Sequence, residues 1–233
     1  MSAHDMTPPE QFAVLAQRLR DGKSADEIQQ IVVESAVQLI DGCDRAAIGV
    51  LDGEKFRSAA ATDDIMRLID ELQNEVGEGP CLEASVDNVA QVDNDIATGS
   101  KWPRLAAIVV ERTPVRAMLA VPLVDEGRRS GALNVFADST DAFDGEAVDN
   151  AAILAAFASV ALSGAGHAAR AEQLEVGMAT NREIGAAVGI LMATHNITQD
   201  QAFELLSNAS QRLNRKLRDI ASGIVRGESG AGS

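Results

Sequence analysis

The chain has 233 residues, 46% apolar and 24% charged, with 35 acidic against 20 basic side chains and a net charge of −15. These proportions describe a globular protein of one or two domains and exclude a disordered chain. They argue against a nucleic-acid wrap along the whole length, which needs clustered positive charge, and 3% aromatic content without tyrosine argues against a base-stacking platform.

In chain order, residues 10–20 read as a short helix after Pro8-Pro9. Ser24-Ala-Asp-Glu27 reads as a capping box that opens a helix near Ala25, with Ile28, Ile31, Val32 and Leu39 at helical spacing and Gly42 ending it. Strands are expected at Arg45–Leu51 and Lys55–Ala61, joined by the hairpin signal Asp52-Gly53. A helix follows over Asp63–Val76, then a Gly/Pro loop through Gly77-Glu-Gly-Pro-Cys81, a short strand at Ala90–Val92 and a helix at Pro103–Val110. Ala117–Val124 and Ala132–Ala137 read as a second hairpin, connected by 125–131.

From Gly145 the pattern is helical. Val148–Leu162 is apolar on every side, so it needs cover from the strands on one side and a second subunit on the other. His167, Ala171, Leu174 and Met178 continue at heptad-like spacing, as in a short dimer stalk. Three helices are expected at the end of the chain. The first spans Asn181–Thr194, and a capping box at Thr198-Gln-Asp-Gln201 announces the second. The third carries the stripe Leu213, Leu217, Ile220 and Ile224, with Arg215, Arg218 and Arg226 opposite and Arg212 and Lys216 flanking.

Charge divides the chain. Residues 1–169 hold 28 acidic and 13 basic side chains, and residues 170–233 hold seven of each. The N-terminus has no basic region followed by an apolar run, so no signal peptide is expected. The uncharged stretch 151–169, rich in Ala and carrying Gly164 and Gly166, reads as too weakly apolar to span a bilayer. Two cysteines, Cys43 and Cys81, and three scattered histidines form neither a disulfide framework nor a metal-ligand spacing, which points to the cytoplasm and to no metal.

No reading of the residues supports catalysis, and no catalytic residue is assigned. No His lies between residues 5 and 166, so a nucleophile there would lack a histidine base. Cys81 has no basic neighbour in its loop and reads as a packing residue. Gly164-Ala-Gly-His-Ala-Ala169 matches a dinucleotide fingerprint only formally. A helical pattern precedes it where a strand is required, so it reads as a break or close-packing spot in the stalk. The carboxylate pairs Asp63-Asp64 and Asp93-Asp95 read as caps or turns.

The run Ile184-Gly-Ala-Ala-Val-Gly-Ile-Leu-Met192, followed by Gln201-Ala-Phe203, Leu206 and Asn214-Arg-Lys-Leu-Arg-Asp-Ile-Ala221, resembles the ANTAR family of three-helix RNA-binding domains that act in transcription antitermination. Asn181 stands where that family often has Arg, and Val188 where it often has Lys. Both remove positive charge from the first helix and leave the third as the main candidate for RNA contact.

Residues 10–165 resemble a GAF domain. The signs are the helix–strand–strand–helix order, Gly77-Glu-Gly-Pro-Cys81, Trp102-Pro103, Met118-Leu-Ala-Val-Pro-Leu123 and Gly131-Ala-Leu-Asn-Val135. The resemblances imply an α+β fold. A GAF-like antiparallel sheet with flanking helices occupies 10–165, a helical linker 166–177, and an ANTAR-like all-α three-helix bundle 178–228. They imply a non-enzymatic, signal-responsive antitermination regulator. Its RNA contacts would be Arg182, Arg212, Arg215, Lys216 and Arg218, on a hairpin in a nascent transcript. The sensor ligand is unspecified: a small molecule, or none. A homodimer through 146–180 is expected, no membrane, and repulsion of RNA by the acidic sensor in the resting state. The alternative is that the C-terminal helices bind a protein partner.

Overall fold

The computed structural model describes residues 7–52, 55–80, 83, 89–125 and 128–227. Cys81 therefore lies outside the described residues. The chain divides between Gly166 and His167 into two compact units.

The first unit opens with α1 (Pro8–Asp21) and α2 (Ala25–Leu39). Ser24 caps α2 by accepting from Glu27 N at 3.2 Å. The Glu27 carboxylate, however, accepts from Lys23 N at 2.7 Å, one residue before the cap, so only half of the expected capping box forms. Strands β1 (Arg45–Asp52), β2 (Lys55–Ala61), β3 (Gln91–Asp93), β4 (Ala117–Asp125) and β5 (Arg128–Ala137) form one antiparallel sheet in the order β2-β1-β5-β4-β3. The β4–β5 hairpin closes with Asp125 opposite Arg128, tighter than the connector expected over 125–131. Gly131 sits in β5 at φ 156°, and a Cβ there would collide with the Gly49 carbonyl of β1. Helices α3 (Asp64–Val76) and α4 (Pro103–Arg112) precede the long helix.

Strand alternation divides the interior into two layers. Ala46, Ile48, Leu119, Val121, Leu133 and Val135 face Leu15 and Leu19 of α1 and Ile28, Val32 and Val33 of α2. On the opposite face, Ala47, Met118 and Phe136 meet Met66, Ile69 and Leu72 of α3 and Leu105 and Val109 of α4. Arg45, at the start of β1, is bidentate to Asp138 beyond β5 and donates through Nε to Asp63 Oδ2 at 2.9 Å. Asp63 Oδ1 meanwhile accepts from Ile65 N and caps α3, so one arginine ties two strands to a helix start.

The long helix α5 runs without interruption from Gly145 to His195. The break expected at Gly164-Ala-Gly-His is not there, and nothing lies within 4 Å of a Cβ placed on Gly164, so that glycine is not a close-packing spot either. Isolated glycines weaken a helix by only about 1 kcal/mol each, too little to end one of this length. Ala147, Ala151, Leu154, Ala155 and Ala158 lie buried in the same layer as α1 and α2. Ser159 Oγ accepts from Val124 N at 3.0 Å, where the β4 register shifts. Ile153, Phe157 and Val160 stay exposed at 42, 37 and 76%. By length and mean hydropathy (1.5 over its most apolar window) α5 is able to cross a membrane, contrary to the expectation from 151–169. Its alanine stripe packs in the core of the first unit, and 22% of that apolar window is buried.

The second unit adds α6 (Gln199–Leu213) and α7 (Leu217–Val225). The Thr198 capping box forms in both directions: Thr198 Oγ1 accepts from Gln201 N, and Gln201 Oε1 accepts from Thr198 N. Ala187 and Val188 of α5, Ala202 and Leu206 of α6 and Ala221 of α7 form the small core, flanked by Ile184, Leu191, Ile220 and Ile224. Val188 is 7% exposed, so the residue that replaces the family's frequent Lys belongs to this core. With nine residues α7 is too short to persist alone and depends on that packing.

Candidate nucleic-acid interface and buried sheet face

The basic residues near the C-terminus do not share one helical face. Helix α6 ends at Leu213, which is 60% exposed, and Asn214 turns left-handed at φ 48°. Helix α7 begins only at Leu217. The stripe read from Leu213 through Ile224 is therefore two segments, because a left-handed residue resets the helical phase. Arg212 falls in the last turn of α6, Arg215 and Lys216 in the inter-helix turn, and Arg218 in the first turn of α7. All four are exposed. Ser210 pins the turn at both ends of one residue: its carbonyl accepts from Arg215 N at 3.1 Å, and its hydroxyl donates to Arg215 O at 2.6 Å.

Lys216 is the N-cap of α7 and supplies no side-chain acceptor to the helix amides. The positive end of the α7 dipole thus lacks a side-chain cap, and four exposed cationic residues lie close to it along the chain, an arrangement suited to phosphate oxygens. Asp219 offsets part of this charge, lying 3.4 Å from Arg218 Nε. Arg182 is exposed on α5. It lies about 140° from Ala187 and about 240° from Val188 around the helix, away from the face that meets α6 and α7. Four of the five candidate residues lie at the α6–α7 junction, and Arg182 lies on another face of α5.

The sensor unit has a second polar feature that sequence reading missed. Three rows cross the sheet face covered by α3 and α4. One runs Arg45, Phe136, Met118, Asp93 and is bulky at its centre. The next runs Ala61, Ala47, Asn134, Ala120, Gln91, and the third Ser58, Gly49, Ala132, Pro122. Asn134 is 1% exposed, and neither Nδ2 nor Oδ1 has a hydrogen-bond partner among the described residues. Leaving such a group unpaired costs about 1–3 kcal/mol. Trp102 Nε1, in the same layer, is likewise buried and unpartnered. At the β2 edge Ser58 Oγ donates to Asp70 Oδ2, and burial pushes the Asp70 carboxyl up to about 6. A polar Asn among Ala, Leu, Val and Phe in a strand covered on both faces was the available signal.

The other candidates resolve into structural roles. Asp93 accepts from Ser100 Oγ at 2.6 Å and Asp95 from Ala97 N at 3.1 Å, while Asp64 pairs with Arg67 at 2.6 Å, so neither carboxylate pair shares a cavity. Cys43 is buried, its thiol donates to the Arg45 carbonyl at 3.5 Å, and burial pushes its pKa up to about 12, which keeps it protonated and inert. A cavity of about 250 Å³ between the 96–100 loop and α4, lined by Ile96, Gly99, Pro103 and Ala106, holds no charged side chain. An open groove of about 440 Å³ beside α1 and α2 includes Arg18 and Glu34, which pair with each other. No group of three or more His, Cys, Asp or Glu suited to a metal occurs among the described residues.

Among solved structures, the GAF domain of an Acinetobacter phosphoenolpyruvate-protein phosphotransferase aligns at TM-score 0.54 and 15% identity, over 72% of this chain and 97% of that one. A domain assigned to a two-component sensor histidine kinase of Sinorhizobium meliloti 1021 aligns at 0.52 and 19%, over 64% and 99%. The Stigmatella aurantiaca phytochrome photosensory core module aligns at 0.58 and 16%, over 88% of this chain and 44% of that one. At these identities the likeness establishes the fold alone. No curated protein matches the chain. The GAF domain family model matches residues 22–163 and the ANTAR domain model residues 172–225. GAF and ANTAR domains are sensor and regulatory modules, and ANTAR domains bind RNA. With the sheet, its flanking helices and the C-terminal helices in place, the chain belongs to the GAF family and carries an ANTAR domain, the arrangement of a signal-responsive antitermination regulator.

Proposed function

We propose that the C-terminal unit binds hairpin RNA in nascent transcripts, that the GAF unit gates this binding, and that the protein works in the cytoplasm. The observation that carries the reading is the cluster of Arg212, Arg215, Lys216 and Arg218 around the uncapped start of α7. Cationic side chains and free helix amides at one point supply phosphate contacts, and RNA hairpins are recognised largely through backbone and loop geometry. Arg182 extends the contact on the other side of α5. Stabilising one hairpin against a terminator hairpin then allows transcription to continue.

A homodimer through 146–180 completes the reading. Ile153, Phe157 and Val160 leave an apolar strip on α5, and Phe157 stacks on Phe12 of α1 with ring centroids 6.1 Å apart. A second copy is the occupant that covers both strips symmetrically. Sedimentation of wild type and of the Val160→Glu variant tests this: the variant should shift toward monomer.

The decisive experiment titrates the protein with a two-hairpin RNA and a scrambled RNA of equal length at two salt concentrations. Selective binding that weakens with salt is expected, and the double variant Arg215→Glu, Arg218→Glu should abolish it without unfolding the protein. Equal binding to both RNAs by wild type removes the hairpin reading. The alternative partner is a protein, favoured by Phe203 and Leu205, 48 and 49% exposed on α6. Charge-insensitive binding lost on Phe203→Ala would establish it.

A further inference from the structure

We infer that Phe203 is a specificity-determining residue of RNA binding: its ring takes the face of one unstacked base of a hairpin loop, while the α6–α7 turn holds the backbone beside that base. The inference deepens the proposed RNA reading and rests on it.

The first observation is the ring. Phe203 is the only Phe, Trp or Tyr between residues 167 and 233. It is 48% exposed on α6, although Ala202 and Leu206 beside it are buried in the core of the unit. One exposed apolar side chain is ordinary by itself, so its place decides what it means.

The second observation is that place. At 100° per residue, Phe203, Ser207 and Ser210 fall within about 40° of one another, in one row along α6. Ser210 stands about 10 Å beyond Phe203 along the axis. It is also the residue that clamps Arg215, accepting from its N at 3.1 Å and donating to its O at 2.6 Å. The row therefore runs from the ring into the turn that carries Arg215 and Lys216. On the way it holds only Ser207 and Ser210, short hydroxyl side chains that repel no phosphate and leave the space over the helix open. Leu205 lies about 160° around the helix from Phe203 and takes no part.

The chemistry follows from the row. Proteins recognise unpaired bases by stacking them on aromatic side chains while cations hold the backbone. One ring is no platform for a run of bases. It suits a single splayed-out base, which a hairpin loop offers and a duplex does not. Phe203 thus supplies discrimination for the loop, and the cations supply the salt-dependent part of the affinity. A protein partner would also bury the ring, but a row that ends in a cationic turn favours a polyanion.

The test titrates the full chain as wild type, Phe203→Leu and Phe203→Tyr with the two-hairpin RNA, and with versions carrying an abasic site at each loop position in turn. Phe203→Leu keeps an apolar side chain and loses the flat face. It should weaken binding about tenfold or more and leave the slope of log affinity against log salt unchanged. Phe203→Tyr should bind within about twofold of wild type, because stacking survives. At one loop position the abasic RNA should weaken wild type by a factor similar to Phe203→Leu, and should weaken that variant no further. A purely structural Phe203 would give additive losses at every position. The inference is overturned if Phe203→Leu binds as wild type does, if Phe203→Tyr binds as poorly as Phe203→Leu, or if the losses add at every loop position. Wild type that discriminates the two-hairpin RNA from the scrambled one, with Phe203→Leu discriminating equally, removes this inference alone. Wild type that does not discriminate removes the RNA reading and this inference with it.

Discussion

Glu78 closes the start of a helix 26 residues away: its Oε1 accepts from Arg104 N at 2.6 Å and from Leu105 N at 3.0 Å. Helix α4 needs this, because its N-cap is Trp102, which caps nothing, and Pro103 has no amide to satisfy. The half-buried carboxylate also meets the positive end of the helix dipole. Glu78→Ala should cost about 1–2 kcal/mol in urea unfolding, and Glu78→Gln about half as much, since it keeps one acceptor and loses the charge. Equal stability of all three proteins would contradict the cap.

Asp70 makes stability depend on pH in an unusual direction. Its folded pKa of about 6 stands above the ordinary 3.8 because burial disfavours the charged form. Between those values the folded state keeps a proton that the unfolded state releases, so this contribution is complete below about 4 and is lost as pH rises through 6. Asp70→Asn keeps the hydrogen bond from Ser58 and removes the titration. The variant should gain up to about 3 kcal/mol relative to wild type at pH 7.5 and nothing near pH 4, measured by urea unfolding at both values.

Asn214 shapes the basic turn. Its left-handed backbone is open to Asn and Gly and strained for a β-branched residue. Asn214→Gly should hold stability within about 0.5 kcal/mol, and Asn214→Val should lose about 1–2 kcal/mol. RNA affinity should follow the same order, because Arg215 and Lys216 are placed by this turn. A Val variant that binds as well as wild type would separate the turn from binding.

Three of the four clustered cations should each carry a similar share of the salt dependence. Single Ala substitutions at Arg212, Arg215 and Lys216 should each lower the slope of log affinity against log salt by about 0.7–0.9. Arg218→Ala should lower it less, because Asp219 already lies 3.4 Å away. Arg182→Ala should weaken a two-hairpin RNA and leave a single short hairpin unchanged, since that residue sits on another face of α5. Titrations over a salt series measure all of these.

Most of the fold was legible in sequence. Helix starts at Ala25, Asp64 and Gln199 follow local capping chemistry at Ser24, Asp63 and Thr198. The strands follow alternation and turn residues. Each of these signals spans only a few neighbours, so one segment read alone carries it. The stripe through Leu213 and Ile224 failed for the complementary reason. Its 4-3-4 spacing is helical on paper, but the backbone of Asn214 decides whether the phase carries through, and packing of α7 on Ala187 and Leu206 decides that.

What the sequence determined by itself is the division into an acidic sensor and a C-terminal unit holding clustered bases, the order of elements and both family resemblances, because charge and periodicity are sums over local positions. Only the tertiary structure decided that Glu78 meets Arg104, that Asn134 lies between Ala47 and Ala120, and that Asn214 breaks the basic segment into two helices. Those relations join segments through strand register and helix docking. Register and docking depend on which buried faces fit one another, a property of the folded chain that no spacing along it records.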